Sequence, residues 1–307
     1  MLDTDETRGE EISPDGIEST GHSRLRIGDC RAVLPTLEAD SVHMVLTDPP
    51  YFLDGLDSAW RKGGKDSPRA TGAIGGLPVG MKFDPRQGRA LQLFMEEVGG
   101  ELSRVLKPGG FCLAFSQPRL AHRMASGLED AGFEIRDLIA WHFTGKSQFK
   151  AFSQDHFVRR MTLDERDQDA LIASMGGRRT PQLRPQFEAI ILAQKPRVGT
   201  FVENWQHHRL GLMDAAQSLN GGSPANVMAV EKADKSEKGD GNDHLTPKPL
   251  RLLEHLIRLF TESGQTVLDP FMGSGSTGVA ALAAGREAMG IELNPEYAAM
   301  ARKRMGE

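Results

Sequence analysis

The sequence has 307 residues, of which 39% are hydrophobic and 26% are charged, and 34 are glycine. A chain of this length and composition can bury a full core, as one large domain or as one domain with insertions. The formal net charge of −5 argues mildly against a protein devoted entirely to polyanions, because such proteins usually carry a basic face. No segment approaches the roughly 18 apolar residues that a membrane span needs.

The N-terminal segment and the cysteines indicate the compartment. Residues 1–22 are acidic and polar, unlike a signal peptide. Two cysteines, Cys30 and Cys112, are too few for a disulfide framework, and Cys112 lies in an apolar run as a reduced core thiol would. We therefore expect a cytoplasmic protein with a flexible leader.

The first half of the chain alternates strand-like and helix-like segments. Short apolar runs at Leu25–Ile27, Val42–Leu46 and Phe111–Phe115 each stop at polar or turn residues. Between the last two runs, apolar residues recur at helical spacing from residue 91 to 106, and the Lys-Pro-Gly-Gly sequence at 107–110 ends that helix. This alternation predicts a parallel α/β sheet with right-handed crossovers.

The middle of the chain contains three less regular segments. Residues 54–82 are rich in glycine and predict a long loop that is functional or disordered. Two late strands are expected at Phe133–Phe143 and Phe187–Ala193, separated by a segment whose residues 176–186 include no acid. By itself that segment is equally compatible with a solvated surface insertion and with a binding site for polyanions. Residues 231–244 are charged and read as a flexible connection.

A second unit of alternating helices and strands follows. It opens with an amphipathic helix and ends at an Asn-Pro-Glu sequence, a good N-cap with proline at the first helical position. Its predicted parts are the helix Leu250–Phe260, the strand Thr266–Asp269, a glycine loop, the helix Val279–Ala284, the strand Ala288–Ile291 and a last helix after Asn294.

The glycine loop at residues 273–278 matches G-x-G-x-x-G between a strand and a helix, and Glu292 ends the next strand. These features are compatible with a nicotinamide dinucleotide site. S-adenosylmethionine, a nucleoside that carries an amino acid, meets the same conditions, with its ribose hydroxyls on Glu292 and its ammonium group on Asp269. An oxidoreductase has no obvious use for Asp269.

A second motif, TDPPY at residues 47–51, directly follows an apolar run. Two adjacent prolines cannot continue a ladder of backbone hydrogen bonds, so the chain leaves the sheet there. The motif offers a carboxylate at Asp48, carbonyl acceptors and the aromatic face of Tyr51. Taken alone, Asp48 is better explained as a turn acid that caps a loop, and the other motifs of the chain favour the catalytic interpretation. In a doubly wound sheet, this strand would face the reactive end of a ligand on the glycine loop.

TDPPY together with LDPFMGSGSTG and GIELN resembles the amino-methyltransferases of DNA, in the permuted group whose catalytic motif precedes the cofactor loop. IGDC at 27–30 and HLTPKP at 244–249 fit the same pattern, so the resemblance covers roughly residues 25–55 and 244–305. It implies an α/β fold with a doubly wound, Rossmann-like, circularly permuted methyltransferase sheet and a target-recognition insertion. The implied parts are a leader (1–22), a catalytic half (23–144), the insertion (145–186), a late strand with a flexible connection (187–244) and a cofactor-binding half (245–307).

The resemblance also assigns roles to residues. Asp48 and the Pro49 carbonyl would accept the N–H groups of an exocyclic amine, and Tyr51 would stack on a base that has left the duplex. The implied catalytic residues are Asp48, Pro49, Pro50 and Tyr51. The implied S-adenosylmethionine contacts are Glu292 to ribose, Asp29 and Cys30 to the adenine edge, Thr246 and Lys248 to the methionine carboxylate, and also Asp48, Asp269, Phe271, Gly273, Ser274, Gly275, Ser276, Thr277, Leu293 and Asn294. The alternative for Lys248 is that it is an ordinary surface lysine without a role in cofactor binding. Arg178, Arg179 and Arg184 are the predicted DNA contacts, and no metal site is expected.

Asp48, the first residue of the Asp-Pro-Pro-Tyr tetrapeptide at 48–51, indicates which base is methylated. Aspartate is typical of adenine-N6 enzymes and serine of cytosine-N4 enzymes, so methylation of adenine N6 in double-stranded DNA is favoured. Cytosine-N4 methylation and, less so, an NAD-dependent oxidoreductase are the alternatives. The resemblance implies a homodimer. Neither the recognised sequence nor a nuclease partner can be read from the chain.

Overall fold

The computed structural model describes residues 18–20, 23–51, 85–143, 145, 149, 151–219, 221–233 and 248–307. The predicted loop at 54–82, Thr246, and most of the predicted leader and of the connection at 231–244 lie outside these residues.

The strands of the described residues form one nine-stranded sheet with the order β1-β2-β9-β8-β3-β4-β6-β5-β7. The strands are β1 (Glu18–Thr20), β2 (Ser23–Ile27), β3 (Val42–Thr47), β4 (Leu106–Ser116), β5 (Glu134–His142), β6 (Phe187–Gln194), β7 (Val227–Ala229), β8 (Thr266–Asp269) and β9 (Glu287–Glu292). The strand order confirms a doubly wound sheet in which the C-terminal strands β8 and β9 lie between the N-terminal strands β2 and β3.

Nine α-helices and one 3-10 helix connect the strands in this part of the chain. They are α1 (Cys30–Val33), the 3-10 helix (Leu34–Thr36), α2 (Pro85–Val105), α3 (Ala121–Asp130), α4 (Asp155–Val158), α5 (Glu165–Met175), α6 (Phe201–His208), α7 (Leu250–Phe260), α8 (Ser276–Ala283) and α9 (Pro295–Met305). None of these helices combines the length and apolar character that crossing a bilayer requires.

The expectation of a parallel sheet is correct for the central strands but wrong for β6 and β1. β6 runs antiparallel to both β4 and β5, and β1 runs antiparallel to β2. Parallel neighbours need a crossover that returns the chain to the starting edge of the sheet. The insertion after β5 instead stays at one edge, where His142 pairs with Phe187, so β6 must run back beside β5.

Both faces of the sheet are covered, because successive side chains of a strand point to opposite faces. Val45 of β3 packs in one core cluster with Met95 of α2 and Met124 of α3. Its neighbour Met44 packs in a second cluster with Leu256 of α7. The apolar strands predicted from sequence are therefore buried on two sides, as expected for a doubly wound sheet.

Two element boundaries differ from the predictions. The Lys-Pro-Gly-Gly sequence at 107–110 lies inside β4, because α2 ends at Val105 and the strand begins at the next residue. The helix predicted to start at Val279 starts at Ser276, directly after the glycine loop.

Candidate active site

The motifs from the two ends of the sequence meet at one edge of the sheet. Val45 of β3 pairs with Leu268 of β8, and Ile27 of β2 pairs with Glu292 of β9, all in parallel. The carboxyl ends of these adjacent strands therefore face the same crevice, which is where ligands bind in open α/β sheets. Asp48 follows β3, and Asp29 follows β2.

A buried hydrogen bond links the two motifs. The hydroxyl of Thr47 donates to Asp269 Oδ1 at 2.6 Å, and the backbone N–H of Phe271 donates to the same oxygen at 3.0 Å. Burial raises the pKa of Asp269 to about 6, while these bonds and one from Thr277 oppose the rise and nearby Asp48 adds to it. A cation placed beside Asp269 would favour the ionised carboxylate.

The glycine loop packs closely against α9. Gly275 has φ +86°, and a Cβ there would lie 2.9 Å from the Cα of Ala301. A Cβ on Gly278 would lie 2.3 Å from the sulfur of Met305. Glycine is therefore required at position 275 by the positive φ and by the backbone of α9, whereas at position 278 the flexible side chain of Met305 would have to move.

Arg304 fixes the same loop from α9, and sequence reasoning overlooked it. Its Nη1 donates to the backbone carbonyl of Ser274 at 2.6 Å and to the hydroxyl of Ser276 at 3.2 Å. The sequence shows Arg304 only as part of a basic last helical turn, which the helix dipole explains equally well.

Glu292 bridges two backbone segments of the crevice. Its carboxylate accepts hydrogen bonds from the N–H of Gly273 at 2.7 Å and from the N–H of Asn294 at 2.8 Å. Burial raises the pKa of Glu292, and these bonds oppose that rise. Each carboxylate oxygen keeps further acceptor capacity, so Glu292 can also accept hydroxyl groups. Asn294 caps α9 through the N–H of Glu296, as predicted.

Asp29 and Cys30 lie beside Glu292 at the end of β2. The Asp29 carboxylate caps α1 through the N–H of Arg31 at 3.0 Å and pairs with the guanidinium of Arg31 at 2.7 Å. The thiol of Cys30 is buried, and burial, followed by the charge of Asp29, raises its pKa to about 12. Cys30 therefore presents a neutral thiol. Both cysteines are free, and Cys112 is buried in the core as predicted.

Aromatic side chains form one wall of the crevice. The rings of Phe94 on α2 and Phe271 lie 5.8 Å apart between centroids, and both pack against the same core cluster as Tyr51. Phe94 appeared in the sequence only as a member of a helical apolar pattern. The fold therefore adds an apolar face next to the glycine loop that the sequence motif does not reveal.

Asp48 is held by two side chains. Its carboxylate accepts hydrogen bonds from the hydroxyl of Tyr51 and from the ammonium of Lys248. Burial, then the charge of Asp48, raises the pKa of Tyr51, so its hydroxyl stays protonated and can donate.

Lys248 is not a surface lysine, since its side chain is 10% exposed. Its Nζ lies 3.5 Å from Oε2 of Glu188. Burial lowers the pKa of Lys248. The carboxylates of Asp48 and Glu188 raise it by more than burial lowers it, so the pKa of Lys248 is raised overall. Lys248 thus contacts Asp48, and its predicted role at the methionine carboxylate stays a prediction. Sequence reasoning overlooked Glu188, an acid within an otherwise apolar strand.

The predicted DNA contacts lie on the insertion between β5 and β6. Arg178, Arg179 and Arg184 are all exposed. A β-bridge between Ser153 and Arg179 closes the insertion on itself. The insertion leaves and rejoins the sheet at the edge that carries Asp48, and a DNA-binding role of the three arginines stays a prediction.

Similar proteins are known for most of the length of this chain. A family model described as DNA methylase (N6_N4_Mtase) matches residues 42–303. The type II methyltransferase M.HindIII of Haemophilus influenzae is 29% identical over 88% of this chain and 91% of its own length. The type II methyltransferase M2.DpnII of Streptococcus pneumoniae is 28% identical over 89% of this chain and 85% of its own.

Solved structures share the fold at lower identity. The PvuII DNA methyltransferase (cytosine-N4-specific) superimposes with a TM-score of 0.62 at 17% identity, covering 94% of this chain and 88% of its own. The complex of M1.HpyAVI with SAM gives a TM-score of 0.55 at 19% identity, covering 93% of this chain and 100% of its own. At these identities the likeness shows the fold alone.

Proposed function

The chain belongs to the DNA methylase family whose model matches residues 42–303, and from this premise we propose that it transfers a methyl group from S-adenosylmethionine to the N6 amine of adenine in duplex DNA. The observation that carries the proposal is the position of Asp48, Asp269 and Glu292 at the ends of adjacent strands, facing one crevice. This arrangement provides a base-holding carboxylate beside two cofactor-holding carboxylates. The nicotinamide alternative left open by the glycine loop has no support in the family.

The residues of the crevice fit S-adenosylmethionine. Glu292 has acceptor capacity for ribose hydroxyls at the point where β9 ends, and Asp29 and Cys30 lie beside it for the adenine. Asp269 is a buried acid whose pKa is raised to about 6 by burial, and the ammonium group of the cofactor would favour its ionised form. The bound cofactor would supply an electrophilic methyl group on a sulfonium centre.

The chain itself would hold the target amine. The lone pair of an exocyclic amine is delocalised into the ring, so the amine is a poor nucleophile. Asp48 and the carbonyl of Pro49 would accept its two N–H groups and direct the lone pair at the methyl carbon. Alignment and a preorganised electrostatic environment are then the contribution of the protein, without a covalent enzyme intermediate.

Tyr51 would hold the base itself. The methyl group cannot reach an amine inside a stacked duplex, so the target base must leave the helix. Tyr51 lies partly buried beside Asp48 and shares a core cluster with Phe271, which places an aromatic ring next to the carboxylate that takes the amine. Stacking on this ring would compensate part of the cost of unstacking the base.

The insertion would hold the duplex. Arg178, Arg179 and Arg184 are exposed on an insertion that starts and ends at the edge of the crevice, and phosphate contacts from arginines position a protein on DNA without reading sequence. Methylation of cellular DNA would place the enzyme in the cytoplasm.

We also propose a homodimer. One modest basic insertion offers little surface to hold both sides of a duplex, and a two-fold pair would double the phosphate contacts. Light scattering at micromolar concentration, with and without DNA, tests it. A monomer that methylates DNA at full rate would refute the dimer and leave the chemistry unchanged.

The function is tested by supplying labelled S-adenosylmethionine with duplex DNA, RNA and protein in parallel, followed by nucleoside analysis. N6-methyladenine from DNA is the expected product. N4-methylcytosine would correct the target base, because both amines pose the same chemical problem, and label in RNA or protein alone would refute DNA as the substrate.

A further inference from the structure

A buried cation lies directly on the proposed catalytic carboxylate. The ammonium of Lys248 contacts Asp48 and lies 3.5 Å from Glu188 and 5.0 Å from the ring centroid of Phe115. Lys248 is 10% exposed, against 21% for Asp48 and 28% for Glu188. A lysine this buried is stable as a cation only if it is paired, and two carboxylates pair it here.

The charge of this cluster bears on the proposed reaction. During methyl transfer the amine lone pair forms the new bond to carbon and the electron pair of the broken bond stays on sulfur. Positive charge therefore moves onto the amine nitrogen, which then gives one proton to the solvent or to Asp48. Groups that stabilise charge where it develops accelerate such a step. The negative charge of Asp48 would stabilise the developing positive charge on the amine. Lys248 opposes this stabilisation, because Lys248 and Asp48 by themselves form a pair with no net charge.

Glu188 makes the net charge of the cluster negative again. With Asp48 and Glu188 ionised and Lys248 protonated, the cluster has one net negative charge. Glu188 is on β6, where it pairs with Trp141 of β5 and precedes Ala189, which pairs with Ser116 of β4. The backbone at Glu188 is thus held by the neighbouring strands on both sides of β6. From this position the Glu188 carboxylate attracts the ammonium of Lys248, which therefore lies between Glu188 and Asp48.

On the basis of the proposed function, we propose that Glu188 is a positioning residue for methyl transfer: it holds Lys248 between two carboxylates and keeps the cluster negative as the target amine becomes cationic. The carboxylate would act through Lys248, which it contacts, and through Asp48 beyond it. Nothing in the DPPY or glycine motifs predicts it.

The test compares Glu188→Gln with the matched variant Glu134→Gln. Glu134 starts β5, the neighbour of β6, but it pairs with Gln194 at the end of β6 opposite to Glu188 and forms an exposed ion pair with Arg136 at 3.0 Å. Glu188→Gln should lower the single-turnover rate on duplex DNA by about 10- to 100-fold and leave the calorimetric cofactor Kd unchanged. Glu134→Gln should change neither. A rate for Glu188→Gln within about twofold of wild type, or a loss explained by cofactor Kd, overturns the proposal.

The double variant Glu188→Gln/Lys248→Met separates charge balance from a structural role. It restores one net negative charge, so at saturating cofactor, where a weaker cofactor contact from position 248 no longer limits the rate, it should turn over faster than Glu188→Gln alone. An equal or slower rate at saturating cofactor contradicts the charge argument. Should Glu188→Gln fail to fold, Glu188→Asp takes its place: retained activity supports the proposal, and complete loss in a folded protein overturns it. Wild-type enzyme that leaves DNA unmethylated in the same assay would refute the proposed function instead.

Discussion

The hydroxyl of Thr47 donates a hydrogen bond of 2.6 Å to the carboxylate of Asp269. Thr47 immediately precedes Asp48, and Asp269 immediately precedes the segment that contains the glycine loop. Both side chains are buried, so water does not replace the bond when it is lost. Beyond the ladder that pairs β3 with β8, this contact therefore links the residue before Asp48 to the acid that precedes the glycine loop.

Removing this contact should affect stability and cofactor binding together. Thr47→Val keeps the volume of the side chain but leaves one oxygen of a buried acid with fewer donors. We expect a loss of about 1–3 kcal/mol in the free energy of unfolding, measured by urea denaturation, and weaker cofactor binding by calorimetry. The control Thr36→Val alters an exposed threonine and should cost less than about 0.5 kcal/mol. Equal stability of the two variants would contradict a structural role for the bond.

Cofactor binding should depend on pH through Asp269. Its pKa is raised to about 6, so the carboxyl is neutral below that pH and ionised above it. The proposed partner is an ammonium group, which requires the ionised form, so affinity should rise as pH increases from 5 to 7, by roughly tenfold. Calorimetry at pH 5, 6, 7 and 8 measures this. Asp269→Asn should bind weakly and lose most of the dependence, and a pH profile that is unchanged in that variant would remove Asp269 from the ammonium site.

The raised pKa of Asp269 also makes the free energy of unfolding depend on pH. The folded pKa of Asp269 lies above the value of about 3.9 for an unfolded chain, so the folded state binds more protons between these two values. Its contribution to stability is therefore present below about pH 4 and is lost as pH rises through 6. Asp269→Asn should remove this part of the pH dependence of unfolding.

Sequence reasoning was most successful where a motif is contiguous. The glycine loop, the strand that ends at TDPPY and the Asn294 cap each depend on local backbone requirements, and the structure places them as predicted. Contacts between distant segments could not be predicted in the same way. Glu188 looks like an acid in a strand and Arg304 like a basic helix end until the fold brings them to Lys248 and Ser274.

Asp48→Ala should abolish methylation and leave cofactor binding largely intact, because the carboxylate is proposed to hold the base rather than the donor. Turnover and cofactor Kd are measured on the same preparation. Asp40→Ala, which removes an acid that pairs with Lys195 away from the crevice, should keep full activity. Near-normal turnover of the Asp48 variant would make Asp48 a structural turn residue and end the proposed mechanism.

Glu292→Ala should weaken cofactor binding by roughly 1–3 kcal/mol, through loss of charge-assisted hydrogen bonds to ribose. The variant also removes the acceptor for the N–H groups of Gly273 and Asn294, so part of the effect would come from a looser loop. Glu292→Gln keeps an acceptor oxygen and should lose less. Unchanged affinity in a folded Glu292→Ala protein would exclude the ribose contact.

The arginines of the insertion should act on DNA binding and leave the chemistry unaffected. Replacing Arg178, Arg179 and Arg184 by alanine one at a time removes an exposed cation that the fold does not bury, so stability should hold. If each contacts one phosphate, DNA affinity should fall, and the slope of log affinity against log salt should decrease by about one per contact. The effect should be the same for specific and random duplexes, because phosphate contacts carry no sequence information. The matched control Arg136→Ala removes an arginine of β5 that is paired with Glu134 and should leave the slope unchanged. A variant that loses affinity for one sequence only would instead assign that arginine to reading a base edge.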